Sequence, residues 1–477
     1  MQSREAADVA VVGGGTAGAL AAVAAGRAGA KTVLVEQYGF VGGVATTGMA
    51  FPGVFDGSGR RAAGGLVQEF FDRVNAFGAD IRHVRNPAGA TVTANDPELT
   101  KFVLMDMLLE ANVRPILHSF TVDAICDGSQ VSGILIANKS GLQIQPAKVF
   151  VDATGDADVV ARAGGAVERG RPSDGLMQPI TLIFRMSNVD FTEIWEYLKN
   201  NPEELEIPFI NSRSDKMETA AYPADYYEKN PGAQLETFSK LLKDKWPDWD
   251  GKDHFHISTL PGSDHVTINV TRVRGLDATN VDDLSEASWR LQRQASGMVT
   301  WLRANAPGFR NARLLSVPFQ VGVRETRRIK GLYSMTTNDV LNAAEFDDGI
   351  GRGAYPLDIH DPAKNIDVMG NAVSGHGISI IQIVDSYAIS YRALVPETLT
   401  NVLAAGRCIS AEHEAAGSLR GQAVCMVTGE AAGVAAALAA RADVPCRDVS
   451  IPDLRSVLEG NGVVLDRAKA ERLTGAL

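Results

Sequence analysis

The stretch that decides the fold opens the chain: Asp8-Val-Ala-Val-Val12, Gly13-Gly-Gly-Thr-Ala-Gly18, an Ala-rich run to Ala28, then Lys31-Thr-Val-Leu-Val-Glu36. It reads as strand, glycine turn, helix, strand. An apolar strand without alternation belongs in a parallel sheet buried on both faces. In the Gly13-x-Gly15-x-x-Gly18 turn, glycines allow close backbone approach to a pyrophosphate, which then meets the positive end of the following helix. Thr16 and Ala17 lie inside that turn. Glu36 ends the second strand 18 residues past Gly18, where a carboxylate can accept hydrogen bonds from both ribose hydroxyls, with Gln37 beside it. An acidic residue there disfavours a 2′-phosphate, so FAD or NAD is expected before NADP.

Residues 118–151 hold three β-rich runs separated by Asp127-Gly128 and Ser140-Gly141, read as an antiparallel meander inserted in the first domain. Between 178 and 345 the character changes to alternating segments such as His265–Val273 and an Arg-studded helix over 283–303. After 366 the chain is again rich in Ala, Gly and Val, with a strand over 401–405 leading to a long Ala-rich helix. The expected architecture is α/β: a Rossmann-like domain with a parallel sheet and inserted meander, and a mixed α+β substrate domain. The expected divisions are 1–177 and 366–445 for the first, 178–365 for the second, and 446–477 as a C-terminal segment.

Composition excludes several classes. With 477 residues, 45% hydrophobic and 22% charged, the chain is globular in type, and its 47 glycines cluster in loops without a period of three. Lys+Arg 46 against Asp+Glu 57 gives −11, which repels nucleic acid and anionic membrane surfaces. The four cysteines, Cys126, Cys408, Cys425 and Cys446, suit neither a zinc site nor a disulfide framework. No metal site is expected, and a cytoplasmic location is. No export signal is read at the start, and the apolar stretch Val424–Ala440 is interrupted by Glu430 and two glycines, so a buried helix is expected, not a membrane span.

Further segments narrow the cofactor. Gly39-Phe-Val-Gly42-Gly43-Val44-Ala-Thr46-Thr47-Gly48 supplies a second glycine pair, and Val151-Asp-Ala-Thr154-Gly155-Asp156 is another strand running into glycine. Together with Ala404-Ala-Gly406-Arg407-Cys-Ile-Ser410 and Gly417-Ser418-Leu-Arg420-Gly421, these resemble the FAD-dependent oxidoreductase family of the glutathione-reductase-like, two-dinucleotide-fold flavoprotein superfamily. Stretches 323–328, 352–360 and Tyr391-Arg392 are similar to the same family. The resemblance implies FAD held by these glycine segments, with Glu36 on the adenosine ribose and Thr46-Thr47 toward the flavin. Many members of the superfamily carry an Asp for the ribityl chain where this chain has Arg407. No His or Cys lies near Gly42-Gly43, so dissociable FAD is expected. The long helix after Gly421 would turn its positive N-terminus toward a reduced flavin, or serve simply as a core helix.

Flavin chemistry asks the protein for a proton-transfer group and a charge anchor. His360 and His413 are the acid/base candidates, with His376 third. Arg324, Arg327 and Arg328 fall on an expected strand, Arg324 and Arg328 on one face, either to hold a substrate carboxylate or to form ion pairs with Glu325. Cys408 and Cys425 are expected to be buried structural thiols. The expected function is hydride transfer between a small polar organic substrate and noncovalent FAD, and these residues set neither the electron acceptor nor the oligomeric state. An NAD-dependent dehydrogenase and a non-catalytic flavin-binding subunit remain alternatives.

Overall fold

A computed structural model describes residues 2–87, 89–205, 210–211, 222–252, 255–363 and 378–473. The opening stretch forms β1 (Ala7–Val12), α1 (Thr16–Arg27) and β2 (Thr32–Val35), followed by α2 (Pro97–Glu110) and β3 (Arg114–Ile116). The three β-rich runs become β4 (Phe120–Asp127), β5 (Gln130–Asn138) and β6 (Gly141–Asp152). Late in the chain come β7 (Val402–Ala404) and α3 (Gln422–Ala442).

Strand β6 does two jobs. Its first half pairs antiparallel with β5 to close the meander, and its second half enters the parallel sheet between β1 and β7. The parallel order is therefore β3-β2-β1-β6-β7. Register brings Val12, Asp152 and Ala404 level, so the Gly13, Ala153–Asp156 and Ala405–Arg407 loops all leave the same edge of the sheet. Ligands in open α/β sheets bind beyond that carboxyl edge.

The small residues of α1 let it lie against α3. A Cβ on Gly429 or Gly433 would run into the Ala17 and Ala21 carbonyls, so only glycine permits this approach. Among the described residues α3 alone is long and apolar enough to cross a membrane, and it is buried within the fold.

A second hydrophobic core, including Phe184, Leu235, Phe255 and Ile268, is built on a five-stranded antiparallel sheet. Its order is Gln234–Thr237, Phe255–Thr259, Val266–Asn269, Phe184–Ser187, Arg313–Ser316. Helix Val281–Asn305 buries Ala287, Leu291, Ala295, Met298 and Leu302 on it, one apolar stripe at helical spacing, and Asn280 caps its first turn. Ala50, Val84 and Val92 join this core from the first segment, while Ile329, Met335, Ile350 and Leu357 pack into the first core. The chain thus returns to the first core ahead of residue 366.

Glu430 sits fully buried in α3, and its Oε2 accepts from the Leu66 N–H at 2.9 Å, capping helix Leu66–Ala76. Burial pushes its carboxyl up to about 8. The folded state therefore holds this proton more tightly than the unfolded chain does. Its stabilising contribution is full below the ordinary glutamate value and is lost as pH rises toward 8. Glu430→Gln keeps the acceptor and removes the titration, so the variant should gain stability relative to the parent between pH 5.5 and 8.5. Thermal unfolding at both pH values checks this, and a constant difference would refute it.

Candidate functional site

The sheet edge opens into a cavity of about 740 Å³ that runs from the glycine loop to the second sheet. At one end Gly13, Gly15, Thr16, Ala17, Glu36 and Gln37 line it, with Gly43, Val44, Thr154, Gly155, Asp156, Gly406 and Arg407. At the other stand Lys252, His256, Glu236, Tyr355, Asp358 and His360. Gln422 and Cys425 bring the first turn of α3 to the wall between.

The nucleotide end suits a pyrophosphate. Gly13 has φ +92°, and a Cβ there would lie 2.6 Å from the Ala153 carbonyl oxygen, whereas the Cβ position of Gly15 is open. The N-terminus of α1 has no side-chain cap and no acidic residue in its first turn, which leaves its N–H groups for an anion. Glu36 is buried at the end of β2, where its Oε2 accepts from Gly14 N–H at 2.6 Å and its Oε1 from Tyr38 N–H at 2.9 Å. Burial outweighs these bonds and raises its carboxyl above the usual range. Asp152 shapes the next loop, accepting from Thr154 Oγ1 at 2.7 Å and Val160 N–H at 3.0 Å. Arg407 donates to Asp156 at 2.7 Å and to Thr326 at 2.9 Å, so this guanidinium orients a carboxylate that itself faces the cavity.

Several expected residues stand elsewhere. Gly18 packs α1 onto Gly13 and Ala153 instead of lining the cavity, the close-packing role of a third glycine. Gly42 caps the short turn Gly43–Thr47, where Thr46 and Thr47 turn their hydroxyls back onto the Gly43 and Val44 carbonyls at 2.8 and 2.7 Å. Gly417 packs on Asp358 and Ile359, Ser418 bonds Tyr387 and Tyr355, and Gly421 packs on Tyr355. Of that segment only Arg420 reaches the cavity, donating to Asp358 Oδ2 at 2.8 Å.

The arginines do not alternate on one strand, because the strand begins only at Arg327 (Arg327–Ile329). Arg324 lies before it, buried on the cavity wall, and donates to the Pro179 carbonyl at 2.7 Å. Arg327 reaches the wall but is held by Asp156 and Asp158. Arg328 is buried in an ion pair with Glu325 and bonds to Ala411 and Gly170. His413 points into that same pair, its Nδ1 2.8 Å from Glu325 Oε1, and lies off the cavity. His376 lies outside the described residues. Cys408 and Cys425 are unpaired thiols, the second on the cavity wall with burial raising it to about 12.

His360 reaches the cavity in a fixed tautomer. Arg272 can only donate, so its 3.0 Å bond to Nδ1 leaves the proton on Nε2, which points at Asp358 Oδ1 3.1 Å away. Burial and the neighbouring Arg324 hold the imidazole neutral. Asp358 collects this bond, Arg420, and the Tyr355 hydroxyl at 2.6 Å. Burial opposes its charge, but the hydrogen bond from the His360 N–H, the Arg420 cation and the Tyr355 hydroxyl outweigh it and hold Asp358 well below the usual carboxylate range. His360 therefore positions Asp358 and has no free lone pair for a proton.

Sequence reading did not single out Lys252. Its ammonium is 3% exposed and donates to the Asn269 carbonyl at 3.3 Å. Burial, with Arg324 and Arg272 nearby, lowers it to about 7 against the opposing pull of Glu236. A lysine that changes charge near neutrality on a cavity wall can move a proton.

With this geometry in place, comparison with known proteins identifies the class. The chain belongs to the FAD dependent oxidoreductase family, whose model matches residues 8–458. It is 30% identical over 169 residues to thiamine thiazole synthase of Methanococcus vannielii, a match that spans 32% of this chain and 58% of that relative's length. Among solved structures it is similar to a geranylgeranyl bacteriochlorophyll reductase-like protein from Thermoplasma acidophilum (14% identity, 96% and 83% of the two chains, TM-score 0.42). It is also similar to a p-nitrophenol 4-monooxygenase from Pseudomonas putida (12% identity, 96% and 86%, TM-score 0.46).

Proposed function

We propose that this protein is an FAD-dependent oxidoreductase of the glutathione-reductase-like superfamily, acting in the cytoplasm on a small organic substrate bound beside noncovalent FAD. The observation that carries the reading is the continuity of one cavity from the uncapped α1 terminus to the buried cluster of Lys252, Arg324, Asp358 and His360. Gly13, Gly15 and Thr16 would hold the pyrophosphate, Glu36 the ribose, and Gly43, Thr154–Asp156, Gly406 and Arg407 the rest of the cofactor. FAD, when bound, supplies hydride transfer. The first turn of α3 offers free N–H groups to negative charge, with no acidic side chain against it. Lys252 takes or gives the proton, and the Asp358 network fixes the wall around it. The second sheet forms this end of the wall through Glu236, His256 and Asn269.

The family match and the late-strand residues Gly406 and Arg407 on the same wall support FAD over the NAD reading. The test is anaerobic mixing of FAD-loaded protein with a panel of hydroxy acids, amines and sugars, read as loss of the flavin's visible band. At least one compound should bleach it within seconds to minutes. Uniform failure, with dithionite-reduced protein also left unoxidised by oxygen, quinones and nicotinamides, would favour the flavin-binding subunit.

A further inference from the structure

We propose that the substrate is an organic anion, a small carboxylate whose charge is taken by Arg324. This deepens the flavin reading above and rests on it. Arg324 is 7% exposed, lines the cavity, and has a neutral main-chain carbonyl, that of Pro179, as its hydrogen-bond partner. Lys252, beside it in the same wall, likewise has the Asn269 carbonyl as its one hydrogen-bond acceptor among the described residues. Among the described residues no carboxylate stands within ion-pair distance of either. Burying a cation without a counter-charge in contact is expensive, and Asp358, which attracts Arg324 from beyond ion-pair distance, is already engaged by Arg420.

The acidic groups nearby are committed. Asp358 is shared by Arg420, Tyr355 and His360, and Glu236 is bonded to His256. Arg272, fully buried, adds another positive charge behind His360. Among the described residues the wall at this end carries Lys252, Arg324 and Arg420 against Glu236 and Asp358, and the repulsion adds to burial at Arg324, lowered to about 10 chiefly by burial and then by Arg420. A guanidinium fork with unused donors matches the two oxygens of a carboxylate. A neutral alcohol or amine would leave this charge unanswered.

The experiment uses FAD-loaded protein and four probe pairs: acetate, malonate, succinate and benzoate, each against its amide. Binding is read by perturbation of the flavin spectrum and by thermal unfolding. At least one carboxylate should bind saturably and more tightly than its amide by about tenfold or more, the scale of a hydrogen bond to a charged group. Arg324→Gln should abolish that preference at unchanged FAD content, and Arg324→Lys should restore part of it. Equal binding of carboxylates and amides to the unmodified protein, or no binding of either, overturns the proposal without any variant. Loss of FAD itself from a folded Arg324→Gln protein would assign the guanidinium to the cofactor's pyrophosphate and overturn it too. A protein that never takes up FAD fails earlier, at the reading beneath.

Discussion

Lys252→Met is expected to slow flavin reduction by substrate roughly 10²–10⁴-fold, the usual contribution of a positioned acid or base, while FAD content stays at the parent level. Methionine keeps the length and apolar stem of the side chain, so the site should stay packed. The distinctive readout is pH. Lys252 titrates near 7 in the unliganded site, facing Glu236 and Asp358 among acids and Arg324 and Arg272 among bases. If it accepts a proton during substrate oxidation, kcat/KM should rise through pH 7 and level off above it, because only the neutral amine can accept. The variant should lose that rise. A variant with the parent's rate, or with the same break near pH 7, would move proton transfer to another group. His360→Asn makes a useful contrast. It should disturb Asp358 and lower the rate, yet leave the pH break in place, since both ring nitrogens are already engaged.

Gly13→Ala should have the largest effect on the cofactor. The residue sits at φ +92°, where an L side chain is strained, and its new methyl would stand 2.6 Å from the Ala153 oxygen. Left-handed backbone costs about 1–2 kcal/mol before that overlap is counted. The loop must move, and it is the loop that aims the α1 terminus into the cavity. FAD affinity should fall by about 100-fold, since about three kcal/mol of lost phosphate contacts gives that factor. The protein should remain folded with a lowered midpoint. Equilibrium titration of stripped protein with FAD checks this, and unchanged affinity would mean that this loop does not hold the pyrophosphate.

The legible parts of the fold were those encoded locally. β1, the glycine turn, α1 and β2 follow one another within 36 residues, so their pattern needed no tertiary knowledge. The meander and α3 were readable for the same reason. Side-chain direction was not. Thr46, Thr47 and Ser418 sit in glycine-rich segments near the cavity, but each hydroxyl bonds the neighbouring backbone or a distant tyrosine. His413 is claimed by Glu325, 88 positions away, and no local pattern announces that pair. Arg328 follows it into the same buried knot. Lys252 was hidden by its company, since a stretch as charged as 244–253 looks solvated, and only the second sheet's folding over it makes it a buried amine. Tyr355 and Asp358 lie inside the family-like stretch 352–360, where nothing in their spacing sets them apart from His360. Their importance depends on Arg420, which arrives from 62 residues downstream.

Whether FAD fills this cavity is read from the visible absorption spectrum of the purified protein, taken before and after acid precipitation. A flavin spectrum whose yellow colour passes into the supernatant is the predicted result. A protein that stays colourless after incubation with FAD would contradict the assignment of the cavity, and colour retained in the pellet would contradict noncovalent binding.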